Sequence, residues 1–309
     1  MTLTQGLIYM RIGIDLGGTK IEGIVLTDEG EVLHCIRAAT PSDDYQLAID
    51  QVCRIVSQLE ALTAKELNVG IGTPGVISQR TGLMKNCNST CLNNQPLKQH
   101  LEEALGRQVL MENDANCFAL SEALFGAGKE ASSVFGVILG TGTGGGLVIN
   151  KQILNGPNSI SGEWGHNQVP HYNDSLFPTQ RACYCGRINC VESYLSGKGL
   201  QQTFSELGGD IFTAKEISQS AAKGNSVAEE AIIVYCEQLA ACLSTVINIV
   251  DPELIVFGGG LSNIASIYEM VPEKIVNYIF SDSVETHFVR PAFGDASGAR
   301  GAACLWQPS

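Results

Sequence analysis

Two related α/β domains are expected from this chain, and three observations predict them. The chain has 309 residues, 44% of them hydrophobic, which suffices for two ordinary domains with separate cores. Short buried apolar runs alternate with segments of helical periodicity. The stretches "RIGIDLGGTKIEGIVL" (11–26) and "VFGVILGTGTGGGLVI" (134–149) share one plan: a buried strand, a Gly/Thr-rich turn and a second apolar strand. This weak internal repeat suggests two domains facing each other, each presenting a glycine turn to the cleft between them.

The elements follow in order. Ile12 to Leu16 is a strand, "GGTK" a tight turn, and Ile21 to Leu26 a second strand. The hairpin turn "TDEGE" leads to a third strand, Val32 to Ile36, completing a meander. Leu47, Val52, Ile55, Val56, Leu59 and Leu62 then repeat at helical spacing, with Ser42 and Asp43 as N-cap candidates. "NVGIG" is a short buried strand broken by Pro74–Gly75, "LKQHLEEAL" a helix and "QVLMEND" a strand. "ANCFALSEALFG" is a helix beginning directly after Asp114. In the second half, "AEEAIIVYCEQLAACLSTVINIV" is a long apolar helix, and "PELIVFGGG" a buried strand ending in three glycines. "GDASGARGAACLW" reads as a turn and a closing helix. No low-complexity linker separates the halves.

The formal net charge of −13 argues against a general nucleic-acid binder, which wants a basic stripe. It does not argue against an anionic nucleotide, because backbone N–H groups and a metal hold phosphate inside acidic proteins. The start "MTLTQGLIYM" has no Lys or Arg and does not resemble a signal peptide, and no run of eighteen apolar residues is present. Eleven cysteines in such a chain point to a reducing, cytoplasmic setting. Cys35, Cys53, Cys87, Cys117, Cys236, Cys242 and Cys304 lie in apolar surroundings and read as small buried hydrophobes, while Cys91 sits in a polar loop.

Neither glycine turn is a Walker A loop, and neither opens a helix in the Rossmann manner. Glycine between two strands lets the backbone approach an anion and aim several N–H groups at it. Asp15 ends the first strand; beside phosphate it needs a cation, so it is a candidate for positioning Mg²⁺. Lys20 either screens phosphate or is a surface lysine. One glycine turn alone is as readily a plain hairpin. Two related turns, with Gly258, Gly259 and Gly260 as a third, favour a nucleotide cleft.

Asp114 in "ENDAN" is either an N-cap or a general base at the end of an element, where phosphoryl transfer to an alcohol wants a carboxylate. Asn88, Asn113, Glu163, His166 and Glu192 are further polar groups able to meet a polyol. "CYCGRINC" puts three cysteines within eight residues, and His166 in "GEWGH" lies seventeen residues before the first. A metal site, a redox dithiol and a disulfide are the alternatives, the last disfavoured by compartment.

Together, "DLGGTK", "GTGTGGG", "GEWGH", "CYCGRINCVE" and "VFGGG" resemble, in order, the ROK family of sugar kinases, over nearly the whole chain from about Arg11. "KNCNSTCLNNQPL", "GEWGHN" and "GDASGARGAA" resemble its manno(fructo)kinase branch more than its N-acetylglucosamine kinase branch. The resemblance implies an actin/hexokinase-like (ribonuclease H-like) α/β fold of two domains, with ATP and Mg²⁺ in a nucleotide cleft between them. The expected division is 1–114, completed by a C-terminal helix at about 295–309, and 115–294, which carries the zinc site.

The implied activity is transfer of the ATP γ-phosphate to the 6-hydroxyl of fructose. N-acetylglucosamine, glucose or mannose is the alternative acceptor, and a sugar-sensing regulator the alternative class. Regulators of the family carry an N-terminal helix-turn-helix, for which the residues before Arg11 leave no room. By matching motif, Asp114 is the base. Asn88, Asn113, Glu163, His166 and Glu192 contact sugar. Asp15, Gly17, Gly18, Thr19, Lys20, Gly140, Thr141, Gly142, Gly258, Gly259 and Gly260 lie on the nucleotide side. His166, Cys183, Cys185 and Cys190 hold structural zinc, and a homodimer is the family's usual state.

Four such ligands close a tetrahedral shell, so the zinc has a bracing role rather than a Lewis-acid one, orienting His166 and Glu192 as the sugar wall. Two departures stand out. Asn189 replaces a glycine usual before the third cysteine, a substitution that asparagine's tolerance of left-handed backbone permits. The residues before Arg11 lack a counterpart, which makes Met10 a possible alternative start.

Overall fold

The computed structural model describes residues 9–41, 43–87, 89–170, 175–294 and 297–307. The chain forms two compact units. The first is Met1–Phe125 with Ile153–Ser161 and Asp295–Ser309; the second is Gly126–Gln152 with Gly162–Gly294.

In the first unit, β1 (Met10–Leu16), β2 (Lys20–Thr27) and β3 (Val32–Ala39) form the expected antiparallel meander. Helix α1 (Tyr45–Thr63) leads to β4 (Asn68–Thr73), which pairs parallel with β1. A short hairpin, β5 (Val76–Ile77) and β6 (Met84–Lys85), precedes α2 (Leu97–Leu105). Strand β7 (Val109–Asn113) pairs parallel with β4 and runs into α3 (Asp114–Leu124). The sheet order is β3-β2-β1-β4-β7.

The central strands are buried on both faces, as their near-continuous Ile, Val and Leu content requires. Ile12, Ile14, Val69 and Ile71 share a core with Val52, Ile55, Val56 and Leu59 of α1. Each such side chain contributes roughly 1.5–3 kcal/mol on burial.

The α1 cap differs from expectation. Asp44 takes it, accepting from the Leu47 N–H at 3.0 Å, because the first helical residue is Tyr45; Ser42 lies outside the described residues. The division of the chain differs too. Helix α3, expected in the second domain, belongs to the first unit, where it packs on α9 (Ser297–Ala303). A Cβ on Gly301 would lie 1.7 Å from the Cys117 carbonyl oxygen, so the two helices touch backbone to backbone. The Ser297 hydroxyl donates to the fully buried Glu122 carboxylate at 2.9 Å. Strands β1 and β4 are equally bare beneath α9: Cβ atoms on Gly13 and Gly70 would lie 1.9 and 1.8 Å from the carbonyl oxygens of Ala299 and Ala302.

The second unit repeats the plan. Strands β8 (Ser133–Leu139) and β9 (Thr143–Ile149) are antiparallel, and β10 (Gln152–Ile153) follows. After the metal-loop region come α4 (Glu192–Leu195), α5 (Gly197–Glu206), α6 (Ala214–Ala221) and α7 (Ser226–Val250). Then β11 (Leu254–Gly258), α8 (Ala265–Ile275) and β12 (His287–Val289) complete the unit. Its sheet order, β10-β9-β8-β11-β12, matches the first, with β11 parallel to β8 as β4 is to β1.

Helix α7 is long and apolar enough to cross a membrane by length and composition. It is instead the core helix of this unit. Tyr235, Leu239, Cys242 and Leu243 are fully buried in the same cluster as Val137 and Phe257 of the sheet.

Candidate active site and metal centre

The metal centre starts from local backbone. Residues 181–190 form a knuckle in which the Cys183 N–H donates to the Arg187 carbonyl and the Gly186 N–H to the Cys183 carbonyl. Gly186 and Asn189 both take left-handed φ, +85° and +56°. The knuckle brings together His166, Cys183, Cys185 and Cys190, whose ligand atoms all lie within 4.8 Å of one another. The Cys183 Sγ–His166 Nδ1 and Cys185 Sγ–Cys190 Sγ separations are both 3.6 Å. A tetrahedron with Zn–S bonds of about 2.3 Å has S···S edges of roughly 3.8 Å, so the donor set fits zinc in type and in spacing. All eleven cysteines are free thiols, which removes the disulfide alternative.

Burial tends to raise the Cys185 thiol, but hydrogen bonds from Arg187, Cys183 and Cys190 outweigh it and bring it down to about 6. Burial and the other thiols push Cys190 up to about 12.

Asn189 does more than tolerate its turn. Its side chain is fully buried, and its Oδ1 accepts from the Arg181 N–H at 2.9 Å and lies 3.0 Å from the Tyr194 hydroxyl. Arg181 in turn stacks 4.4 Å above the Tyr194 ring and donates to the Gly199 carbonyl and to Glu206. The knuckle is thereby fastened to α5.

"GEWGH" is pressed onto β9. Cβ atoms on Gly162 and Gly165 would lie 2.3 Å from the Gly145 carbonyl and 1.9 Å from that of Thr143. The Trp164 indole N–H donates to the Gly144 carbonyl at 2.9 Å. Both glycines of the motif therefore serve backbone contact, and Glu163 and His166 are held beside the start of β9.

Glu192 arrives there from the other side. Its Oε2 accepts from the Thr143 N–H at 2.9 Å and lies 2.5 Å from where a Cβ on Gly142 would be. The Gly197 N–H at the start of α5 donates to the Gly140 carbonyl at 2.8 Å, so α4 and α5 together brace the second glycine turn at both ends.

Tyr184, between the first two cysteines, was missed in the sequence. Its hydroxyl lies 3.1 Å from His166 Nε2, with the rings edge to face at 5.3 Å. Burial, then the charges of Glu192, Cys183 and Glu163, push its phenol up to about 12. It therefore stands among three of the residues expected to contact sugar.

In the first unit, β7 delivers Asn113 and Asp114 to the start of α3. Asn113 is the cap, accepting from the Ala115 N–H at 2.9 Å, so Asp114 is not the N-cap but the first helical residue. Its exposed carboxylate also accepts from the Ala115 N–H, at 2.8 Å. Burial, then the charges of Glu112, Asp15 and Asp114, raise the Cys117 thiol. Asn88 lies outside the described residues. Gly17, Gly18 and Thr19 form the turn after Asp15, closed by a Gly17 N–H to Lys20 carbonyl bond of 3.1 Å. The Lys20 ammonium lies 4.0 Å from Glu22.

Two cavities accompany these residues. One of about 860 Å³ in the second unit is lined by Gly140, Thr141 and Gly260, with Lys198, Lys215 and Gln201 from α5 and α6. The last three were not singled out in the sequence; Lys198 in "SGKG" follows the Ser196 cap and was the one legible signal. Gly258 and Gly259 do not line this cavity, and Gly259 instead packs on backbone, where a Cβ would lie 2.4 Å from the Leu139 carbonyl. The other cavity, of about 600 Å³, lies in the first unit and includes Asn113.

These paired sheets, glycine turns and Cys₃His knuckle define a class, and residues 11–309 match the ROK family model. The chain belongs to the ROK family. It is 38% identical to an N-acetyl-D-glucosamine kinase of Vibrio atlanticus (strain LGP32), over 96% of this chain and 99% of the relative. It resembles the solved ROK hexokinase from Thermus thermophilus at a TM-score of 0.83 and 27% identity, covering 95% of this chain and 96% of that one. It likewise resembles a ROK family glucokinase from Streptomyces griseus, solved with glucose and AMPPNP. There the TM-score is 0.78 with 27% identity, over 96% and 98% of the two chains.

Proposed function

We propose that this chain, a ROK-family sugar kinase, transfers the γ-phosphate of ATP to the 6-hydroxyl of N-acetylglucosamine. The observation that carries the acceptor is the end-to-end identity with N-acetylglucosamine kinases. It moves the acceptor from the expected fructose to one of the expected alternatives.

Asp114 is the general base. It sits exposed at the first turn of α3, at the end of β7, where a carboxylate can take the hydroxyl proton. Asn113, Glu163, His166 and Glu192 hold the sugar. The cavity with Gly140, Thr141 and Gly260 takes the nucleotide, and Lys198 and Lys215 supply positive charge to its phosphates. Asp15 positions Mg²⁺, which supplies charge neutralisation when bound. His166, Cys183, Cys185 and Cys190 hold zinc through Nδ1 and three thiolates. With those four ligands the ion would brace the knuckle, with His166 Nε2 facing the Tyr184 hydroxyl. A cytosolic setting and a homodimer belong to the same proposal.

The test is coupled ADP release over N-acetylglucosamine, glucose, mannose and fructose, with kcat/KM for each. N-acetylglucosamine is expected to lead; fructose leading would overturn the acceptor. Asp114→Asn is expected to lower kcat by roughly 10²–10⁴-fold with sugar binding retained by calorimetry. An unchanged kcat refutes the base.

A further inference from the structure

The segment Ile153–Ser161 leaves the second unit's hairpin and joins the first unit. It is strapped there by side chains. Asn155 Nδ2 donates to the Glu112 carboxylate, Gln79 Nε2 donates to the Ser159 hydroxyl at 3.0 Å, and the Lys85 ammonium donates to the Asn158 carbonyl at 3.2 Å. The straps close one wall of the cavity of about 600 Å³, a size usual for small-molecule sites.

Its lining is mixed in a particular way. Ile77, Leu110 and Met111 give an apolar surface; Glu112 and Asn155 give acceptors, and Asn155 and Gln79 give amide donors. A bare hydroxyl asks for polar partners alone. An acylamino substituent asks for an acceptor for its N–H, a donor for its carbonyl and apolar surface for its methyl group. Asn113 belongs both to this lining and to the turn that presents Asp114, so the cavity adjoins the proposed acceptor site.

We infer that this cavity is the subsite for the N-acyl group of the acceptor, and that Asn155 is a specificity-determining residue. The inference rests on the N-acetylglucosamine reading. The strap lines this cavity because the chain returns to the first unit at Ile153–Ser161.

The experiment measures kcat and KM for N-acetylglucosamine and glucose with wild type and Asn155→Ala. The expected result is a KM for N-acetylglucosamine raised roughly tenfold or more, with a clearly smaller change for glucose. Equal losses on both sugars overturn the subsite while leaving the acceptor intact. Failure of the wild type to phosphorylate N-acetylglucosamine overturns the acceptor itself.

A second measurement needs no variant. N-propionylglucosamine is expected to be turned over by the wild type within roughly tenfold of the N-acetyl sugar, since the apolar wall accommodates one more methylene. Rejection of N-propionylglucosamine alongside rapid turnover of glucose and N-acetylglucosamine refutes the assignment of this cavity.

Discussion

Replacing Asn189 tests whether the metal knuckle is held by its backbone or by a side chain. Glycine at this position relieves the left-handed φ of +56°, a gain of about 1 kcal/mol at most for a residue that already tolerates it. It also removes Oδ1 and leaves the buried Arg181 N–H without its acceptor, a loss of about 1–3 kcal/mol. The expected net effect of Asn189→Gly is therefore a destabilisation of about 1–2 kcal/mol. Alanine loses the same acceptor and adds left-handed strain of about 1–2 kcal/mol, so Asn189→Ala should be worse. For a unit of this size each kcal/mol moves Tm by about 2–4 °C. Scanning calorimetry of the zinc-loaded proteins, with zinc content determined by a colorimetric chelator, should rank wild type above glycine above alanine. A glycine variant as stable as wild type would refute the side-chain brace, because the turn would then want only its backbone angle.

Two further outcomes are expected. Cys185→Ser should release zinc on metal analysis and raise the KM for sugar. It should also raise the KM for ATP, because Glu192 and Gly197 tie the segment after Cys190 to the Gly140–Thr143 turn; an unmoved ATP KM argues against that tie. Burial tends to raise the Glu237 carboxyl, but hydrogen bonds from Lys274 and Tyr278 outweigh it and hold it below 4.5. A depressed value contributes stability above the unfolded pKa of 4.5, lost as pH falls below it. Glu237→Gln should flatten the denaturation midpoint against pH below 4.5, and an unaltered slope sinks the assignment.

Much of the fold was legible because it rests on local pattern. The paired strand–turn–strand units stand out since buried strands carry continuous Ile, Val and Leu and the turns carry glycine. Helix α2 matches "LKQHLEEAL" residue for residue, closed by Gly106 in left-handed conformation. Helices α5 and α6 were not read, because they are short and largely polar and their apolar stripes emerge only against α7. Among Ser42, Asp43 and Asp44, sequence alone does not choose a cap; the choice depends on which N–H lies exposed three residues on.

In the site, the metal ligands were legible from residue type and spacing. Tyr184 was not, since its place beside His166 depends on how a knuckle folds back across eighteen positions. Nor was the bond from Thr143 to Glu192, forty-nine positions apart. Glycines 142 and 259 read as anion-turn glycines, whereas the structure uses them to admit the Glu192 carboxylate and the Leu139 carbonyl.

The seat of α9 on Gly13 and Gly70 has a consequence for biogenesis. The first unit's sheet is specified within the first 113 residues, yet one of its faces is covered by a helix translated some 180 residues later. The second unit's strands are all specified by Val289, before α9 begins. The second unit can therefore complete its core first, and the first closes last, with Trp306 latching onto the Val69 carbonyl at 2.7 Å.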